Sequence, residues 1–277
     1  MIEVVCGRLK GAKVFADLDM NKGYWQFPVD EESQEILAIQ TDRGVYQPTR
    51  ILQGAKNGVS YFQSGITEAL SDSQEVEQHS IVWLDNVLVY AETAEQLLLL
   101  LEAIFDICNL RKIRLSLKKC YLFKKQLIWN GKEISEEGIK PDPSKVQALV
   151  DMPSPRTAAD LMQFLCAMNW MRTSLVNYTR TIFPLQELLE QALKLTKKRT
   201  KKEAAKIDLH IHGWWNSEME TTFLACKQML INAVTLVHPD PEKEFCLFTD
   251  ASKHSWASVL TQIPTEDIDL PFDQQRH

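Results

Sequence analysis

The chain lacks any apolar stretch long enough to cross a membrane. Its longest leucine run, Leu97 to Leu101, is closed by Glu102 and reads as the buried face of a helix. The first residues, Met1-Ile2-Glu3-Val4-Val5-Cys6-Gly7-Arg8, hold no apolar core of the kind a secretory leader needs. The six cysteines, Cys6, Cys108, Cys120, Cys166, Cys226 and Cys246, form no C-x-x-C pair. That favours a reducing intracellular compartment, cytoplasmic or nuclear, over a disulfide framework. Internal repeats are absent. Gly7 to Lys13 carries two glycines and a lysine without the spacing or the Ser/Thr of a phosphate-binding loop. His210-x-His212 could share one strand face, but no third ligand stands near it in sequence, so surface histidines in a connector are the plainer reading.

An overall excess of positive charge is also missing: the net charge is −6. The total hides a partition. Residues 1–110 hold 7 Lys+Arg against 17 Asp+Glu, residues 111–206 hold 20 against 9, and residues 207–277 hold 4 against 11. An acidic segment is followed by a basic one and then by a second acidic one, and this asymmetry says more than the sum. The densest basic run is Lys194, Lys197, Lys198, Arg199, Lys201, Lys202 and Lys206. It reads either as a phosphate-tracking surface or as a solvated helical linker.

With 277 residues, 45% of them hydrophobic, the chain can bury substantial cores in two or three domains. The stretch Ile81-Val82-Trp83-Leu84-Asp85-Asn86-Val87-Leu88-Val89 is an apolar, β-branched run broken by an acid and an amide. It predicts a hairpin with a tight turn at Leu84-Asp85-Asn86 and Asp85 at the tip. An earlier segment, Val14 to Phe27, holds Asp17 and Asp19 two residues apart, on one side of a strand. Carboxylates on two strands suit a two-metal phosphoryl-transfer site, with ions about 4 Å apart. Oxygen ligands of this kind favour magnesium shared with substrate phosphates. Solvated strand ends and a plain Asp-Asn turn give the same pattern without chemistry.

The remaining patterning predicts a hairpin over 31–50 with Asp42-Arg43-Gly44 as its turn. Helices are expected over 57–72, with Asn57 as a candidate N-cap, and from Thr93 to Leu110. Strands follow near 113–117 and 127–134. After Pro141, Pro143, Pro153 and Pro155 the chain turns helical, with helices from Ser144 to Val150, Thr157 to Trp170, Pro184 to Leu195 and Glu218 to Ile231. Residues 245–262 read as two strands of a new sheet, and 1–30 as strand entry plus the first acidic strand. Trp170, Trp214 and Trp215 read as core or interface aromatics.

These segments, in order, resemble the gypsy-type LTR-retrotransposon reverse transcriptases over nearly the whole chain. Phe15 to Gln26 is similar to the first catalytic motif, Gln53 to Gln63 to the glycine turn and helix beneath the template, and Trp83-Leu84-Asp85-Asn86 to the Tyr-x-Asp-Asp hairpin. Leu115 to Cys120 resembles the lysine-bearing motif, Leu127 to Ile134 the primer-gripping hairpin, and Ile139-Lys140-Pro141-Asp142-Pro143 the entry to the thumb. Phe248-Thr249-Asp250-Ala251-Ser252 resembles the first strand of the family's ribonuclease H-like domain.

The resemblance implies an α+β fold: a right-hand palm of antiparallel sheet and helices with partial fingers over 1–137, a helical, basic thumb or connection over 138–206, and a truncated ribonuclease H-like start over 207–277. It implies Asp19 and Asp85 as ligands of two Mg2+ or Mn2+ ions. Tyr24, Gln53, Gly54 and Lys119 would meet nucleotide or template, Trp129, Asn130 and Gly131 would grip the primer, and Asp250 would be a ribonuclease H remnant. An RNA template, a DNA primer or duplex and a deoxynucleoside triphosphate (dNTP) would be the partners, with no membrane.

Three departures bear on activity. Asn86 stands where the family has its second Asp, which removes one negative charge. The chain begins only 18 residues before Asp19, which leaves out most of the fingers and their phosphate-holding cations. It ends soon after Asp250, before further ribonuclease H acids. The expectation is therefore an RNA-directed DNA polymerase fragment of weakened activity. The alternatives are a non-catalytic nucleic-acid-binding remnant, domesticated or pseudogene-derived, and an inert chain that folds poorly.

Overall fold

The computed structural model describes residues 7–251 and 256–276. The expected strand entry over 1–6 and Ser252 of the ribonuclease H-like motif lie outside the described residues. The chain divides into two compact units, one of residues 1–125 with 237–277 and one of residues 126–236.

In the first unit, strand β1 spans Val14–Asp19. A single turn of helix, α1 (Glu31–Ile36), is capped by the Asp30 side chain, which accepts from Ser33 N. Strands β2 (Ile39–Thr41) and β3 (Gly44–Tyr46) form a small hairpin turning at Asp42-Arg43, narrower than the expected 31–50 because residues 31–36 are helical and Gly44 already belongs to β3. Helices α2 (Gly58–Leu70) and α3 (Gln74–Gln78) lead into β4 (Ser80–Trp83) and β5 (Asn86–Ala91). Helix α4 (Ala94–Arg111) starts where the Thr93 hydroxyl accepts from Gln96 N and ends at Lys112, which is left-handed at φ 61°. Strand β6 (Tyr121–Lys124) completes an antiparallel sheet of order β4-β5-β1-β6.

The sheet has two chemically different faces, because side chains alternate along a strand. One face carries Ala16, Leu18, Val87 and Val89. It packs on Phe62, Ile66 and Leu70 of α2 and on Leu97, Leu100, Leu101 and Ile104 of α4. Burying each of the Val, Leu, Ile and Phe side chains here is worth about 1.5–3 kcal/mol. The leucine run of α4 is thus split: Leu97, Leu100 and Leu101 are buried, while Leu98 and Leu99 are exposed. The other face carries Phe15, Asp17 and Asp19 on β1 and Asn86, Leu88 and Tyr90 on β5.

The strand expected over 113–117 does not form. Arg114 and Leu115 instead bind the chain beyond β1: Leu115 makes an isolated bridge to Met20, and Asn21 N donates to Arg114 O at 2.9 Å. The edge position goes to Tyr121–Lys124. Near the C-terminus, β10 (Lys243–Ala251) and β11 (Trp256–Pro264) pair as the expected two strands.

The second unit opens with β7 (Gln126–Trp129), β8 (Lys132–Ser135) and β9 (Gly138–Pro141), an antiparallel three-stranded sheet. Helices α5 (Pro143–Val150), α6 (Ala158–Trp170), α7 (Tyr178–Leu193), α8 (Lys201–Ala204) and α9 (Ser217–Ile231) follow. A reciprocal Thr157/Asp160 capping box starts α6. Phe164 of α6 and Phe223 of α9 meet with ring centroids 4.6 Å apart. Helix α7 begins six residues before the expected Pro184. Proline costs an interior helical hydrogen bond, but the first turns carry Ile182 into the core, fully buried, and that burial outweighs it. Trp214 and Trp215 pack against this core, whereas Trp170 is exposed. No strand forms at His210 and His212; they lie in a turn, where the ring of His212 stacks on Trp214.

Candidate active site

The β4–β5 hairpin turns through Leu84 and Asp85, with Leu84 left-handed at φ 55°, and Asn86 already belongs to β5. This shortens the expected three-residue turn by one. The register sets Asn86 opposite Asp19, and Met20 N donates to Asp85 O at 2.9 Å. Asp19 and Asp85 therefore stand at the same end of two adjacent strands, 66 positions apart in sequence.

Asp19 is 8% exposed. The Lys119 ammonium lies 3.3 Å from its Oδ1 and 3.4 Å from its Oδ2. Only the Oδ2 contact has hydrogen-bond geometry, so Oδ1 is a buried carboxylate oxygen with no hydrogen bond. Backbone contacts hold the residue in place. Ser116 N donates to Asp19 O at 2.8 Å, and Asp19 N donates to Cys120 Sγ at 3.4 Å. The Cys120 thiol is pushed up by its burial, opposed by its bond to the Asp19 backbone and reinforced by the charges of Asp19 and Asp17.

Asp17 shares the face of Asp19 and is 6% exposed. Its Oδ1 accepts from Asn86 Nδ2 at 3.2 Å, a diagonal cross-strand pair. Burial pushes the Asp17 carboxyl up to about 6; the Asn86 hydrogen bond works against this, and the charges of Asp19 and Asp85 add to it.

Tyr24 sits in a short 3-10 turn, Gly23–Gln26, with its ring 4.8 Å from that of Phe62. Gly23 is required there, since a Cβ would meet Phe62 Cζ at 2.7 Å. Gln26 ties the turn to the segment before Lys119. Its Nε2 donates to Asn21 O and Arg114 O, at 2.8 and 2.9 Å, and its Oε1 accepts from Arg114 N at 2.6 Å. Gln53 and Gly54 are exposed in the loop before α2, Gly54 with φ 96°. Asp250 lies exposed on β10, opposite Ala257.

Trp129, Asn130 and Gly131 belong to the second unit, at the turn between β7 and β8. Asn130 and Gly131 both have positive φ, 48° and 77°, as a tight hairpin turn demands. Trp129 Nε1 and Asn130 Nδ2 are buried donors with no hydrogen-bond partner.

The structure thus gathers Asp17, Asp19, Asp85, Asn86 and Lys119 in the first unit. Cys120 Sγ against the Asp19 backbone, Gln26 as a brace and the Asp17–Asn86 bond are not legible in the sequence. The only signal for the last is the i, i+2 spacing of Asp17 and Asp19. Among the described residues, no group of three or more His, Cys, Asp or Glu side chains is placed to hold a metal ion. Two carboxylates, one with an unbonded oxygen, still fit a magnesium site of the kind completed by water and substrate phosphate. Among the described residues, no helix is long and apolar enough to cross a membrane.

Comparison with known proteins bears on the same residues. The family "Reverse transcriptase (RNA-dependent DNA polymerase)" matches residues 3–147, and "RNase H-like domain found in reverse transcriptase" matches residues 215–269. The retrovirus-related Pol polyprotein from transposon 412 of Drosophila melanogaster is 29% identical over 94% of this chain and 20% of its own length. The enzymatic polyprotein of Cauliflower mosaic virus (strain NY8153) is 27% identical over 92% of this chain and 35% of its own. The chain thus spans between about a fifth and a third of these relatives. In fold, it matches the foamy viral protease-reverse transcriptase solved with double-stranded DNA, with a TM-score of 0.78 at 22% identity over 94% of this chain and 42% of that one. The same viral protein solved with an RNA/DNA hybrid gives 0.73 at 23% identity, over 92% and 35%. The expected palm architecture is therefore present. With a family match over more than half of its length, the chain belongs to the reverse transcriptase (RNA-dependent DNA polymerase) family.

Proposed function

We propose that residues 7–125 form a template-directed nucleotidyltransferase site in which Asp19 and Asp85 are the acidic ligands. The observation that carries this is the pairing of β1 with β5, which brings these two carboxylates to one strand end in a chain of this family. Two divalent ions, magnesium or manganese, would supply there the activation of a primer hydroxyl and the neutralisation of phosphate charge. Asp19 would offer its unbonded Oδ1, and Lys119 would release it toward an incoming phosphate. Tyr24, braced on Phe62, would bound the sugar of a dNTP, and Gln53 and Gly54 would line the template side. In the second unit, the unpartnered donors of Trp129 and Asn130 suit a primer phosphate, and the exposed lysines near α8 suit a duplex. The relatives' solved complexes with double-stranded DNA and with an RNA/DNA hybrid support this choice of partners.

Asn86 favours a second reading. A neutral amide in place of a third carboxylate weakens the field on divalent cations, which fits a nucleic-acid-binding module with little or no turnover. Primer extension on poly(rA) with oligo(dT), in magnesium or manganese, separates the two. Slow template-dependent incorporation, abolished by Asp85→Ala, is expected of the first. Duplex binding with no incorporation at any enzyme concentration leaves only the second.

A further inference from the structure

We propose that Asp17 is a positioning residue of this site: it fixes the side-chain amide of Asn86 so that the carbonyl oxygen, rather than the NH2 group, is offered to a divalent cation beside Asp19. The inference rests on the two-carboxylate reading above and adds a function to a residue which that reading leaves idle.

The argument begins with what each group can do. A carboxylate only accepts hydrogen bonds, while an amide has a donor end and an acceptor end. Asn86 lies 3.2 Å from Asp17 Oδ1. Only Nδ2 can make that contact, so Asp17 decides which way round the amide stands. Oδ1 is then left on the side away from Asp17, on the sheet face that Asn86 shares with Asp19. Among the described residues no protein donor reaches it. Hard cations take carbonyl oxygens and reject NH2 groups. Groups that orient a ligand from behind govern metal affinity nearly as strongly as the ligand itself.

The same contact predicts that an acid restored at position 86 alone is destabilising. Asn86→Asp sets two carboxylates about 3 Å apart on a face with little water. Exchanging the pair, Asp17→Asn with Asn86→Asp, keeps one hydrogen bond with its roles reversed and leaves the net charge unchanged. It also turns a full carboxylate toward the site.

A double-mutant cycle on the full chain tests this with two readouts, thermal unfolding without metal and Mn2+ binding followed by the paramagnetic signal of free Mn2+. Asn86→Asp is expected to lower the unfolding midpoint by about 5 °C, and the exchanged pair to regain most of it. Asp17→Asn is expected to weaken Mn2+ binding about tenfold, and the exchanged pair to bind more tightly than wild type. Additive effects on unfolding overturn the pairing. Unchanged Mn2+ affinity in Asp17→Asn, or no Mn2+ binding by wild type, overturns the orienting role. Coupled unfolding and coupled Mn2+ binding without any primer extension uphold the inference while removing the polymerase reading.

Discussion

The ammonium of Lys119 and the carboxylate of Asp19, a hundred residues apart in sequence, meet at 3.3–3.4 Å. The lysine is largely exposed and the aspartate largely buried. An exposed cation therefore faces a buried anion. Lys119→Met removes a competitor for Asp19, so Mn2+ should bind several-fold more tightly while primer extension falls. Isothermal titration with Mn2+ alongside dNTP-dependent kinetics checks both directions. Weaker Mn2+ binding in this variant contradicts the competition.

Gly138 offers a test of the second unit. Its φ is 139°, and a Cβ there would collide with Leu236 O. That carbonyl accepts from Ile139 N at 2.8 Å, and Leu236 N donates back to Ile139 O at the same distance. Gly138→Ala must break this exchange or strain the turn, and should destabilise by about 3 kcal/mol. Denaturant unfolding measures it; a loss under about 1 kcal/mol would mean that the Leu236 segment does not dock as described.

The basic run around α8 is exposed at Lys197, Lys198 and Lys202, while Arg199 pairs with Glu190 and Lys201 Nζ donates to Gln163 Oε1. The triple change to Gln at 197, 198 and 202 should weaken duplex binding and reduce the salt slope by about 0.9 for each phosphate that is no longer neutralised. Anisotropy titrations at several salt concentrations give the slope directly. An unchanged slope assigns these lysines to a solvated linker.

Thiol chemistry distinguishes the cysteines. Burial pushes the thiols of Cys108 and Cys226 up to about 11, whereas Cys166 is exposed. A thiol reacts as its thiolate. Cys166, being exposed, should be modified by a disulfide reagent within minutes, and Cys108 and Cys226 only after denaturant is added. Mass spectrometry of the modified peptides identifies each; rapid labelling of Cys226 in the native chain contradicts the packing around Phe164 and Phe223.

Local rules carry far in this chain. Thr93 and Thr157 precede helices because their hydroxyls accept backbone donors three residues on, and both starts are legible in the sequence. The β4–β5 hairpin is equally plain, since β-branched residues flank a turn-forming pair. The segment 113–117 misleads because its backbone partners, Met20 and Asn21, lie about ninety positions away, and no local pattern announces them. Pro184 misleads for a related reason: a helix-start preference is worth less than the burial of Ile182, which depends on what packs opposite.

The sequence by itself determined the family and singled out Asp19 and Asp85 as candidates, because motif order and residue type survive without coordinates. Tertiary structure decided what those acids experience. Antiparallel pairing of β1 with β5 set Asn86 diagonal to Asp17, and the backbone bonds of residues 114–120 to the end of β1 brought Lys119 onto Asp19, leaving one Asp19 oxygen without a hydrogen bond. Hydrogen bonds and Coulomb energies act over a few ångströms of space, whereas sequence records only neighbours along the chain.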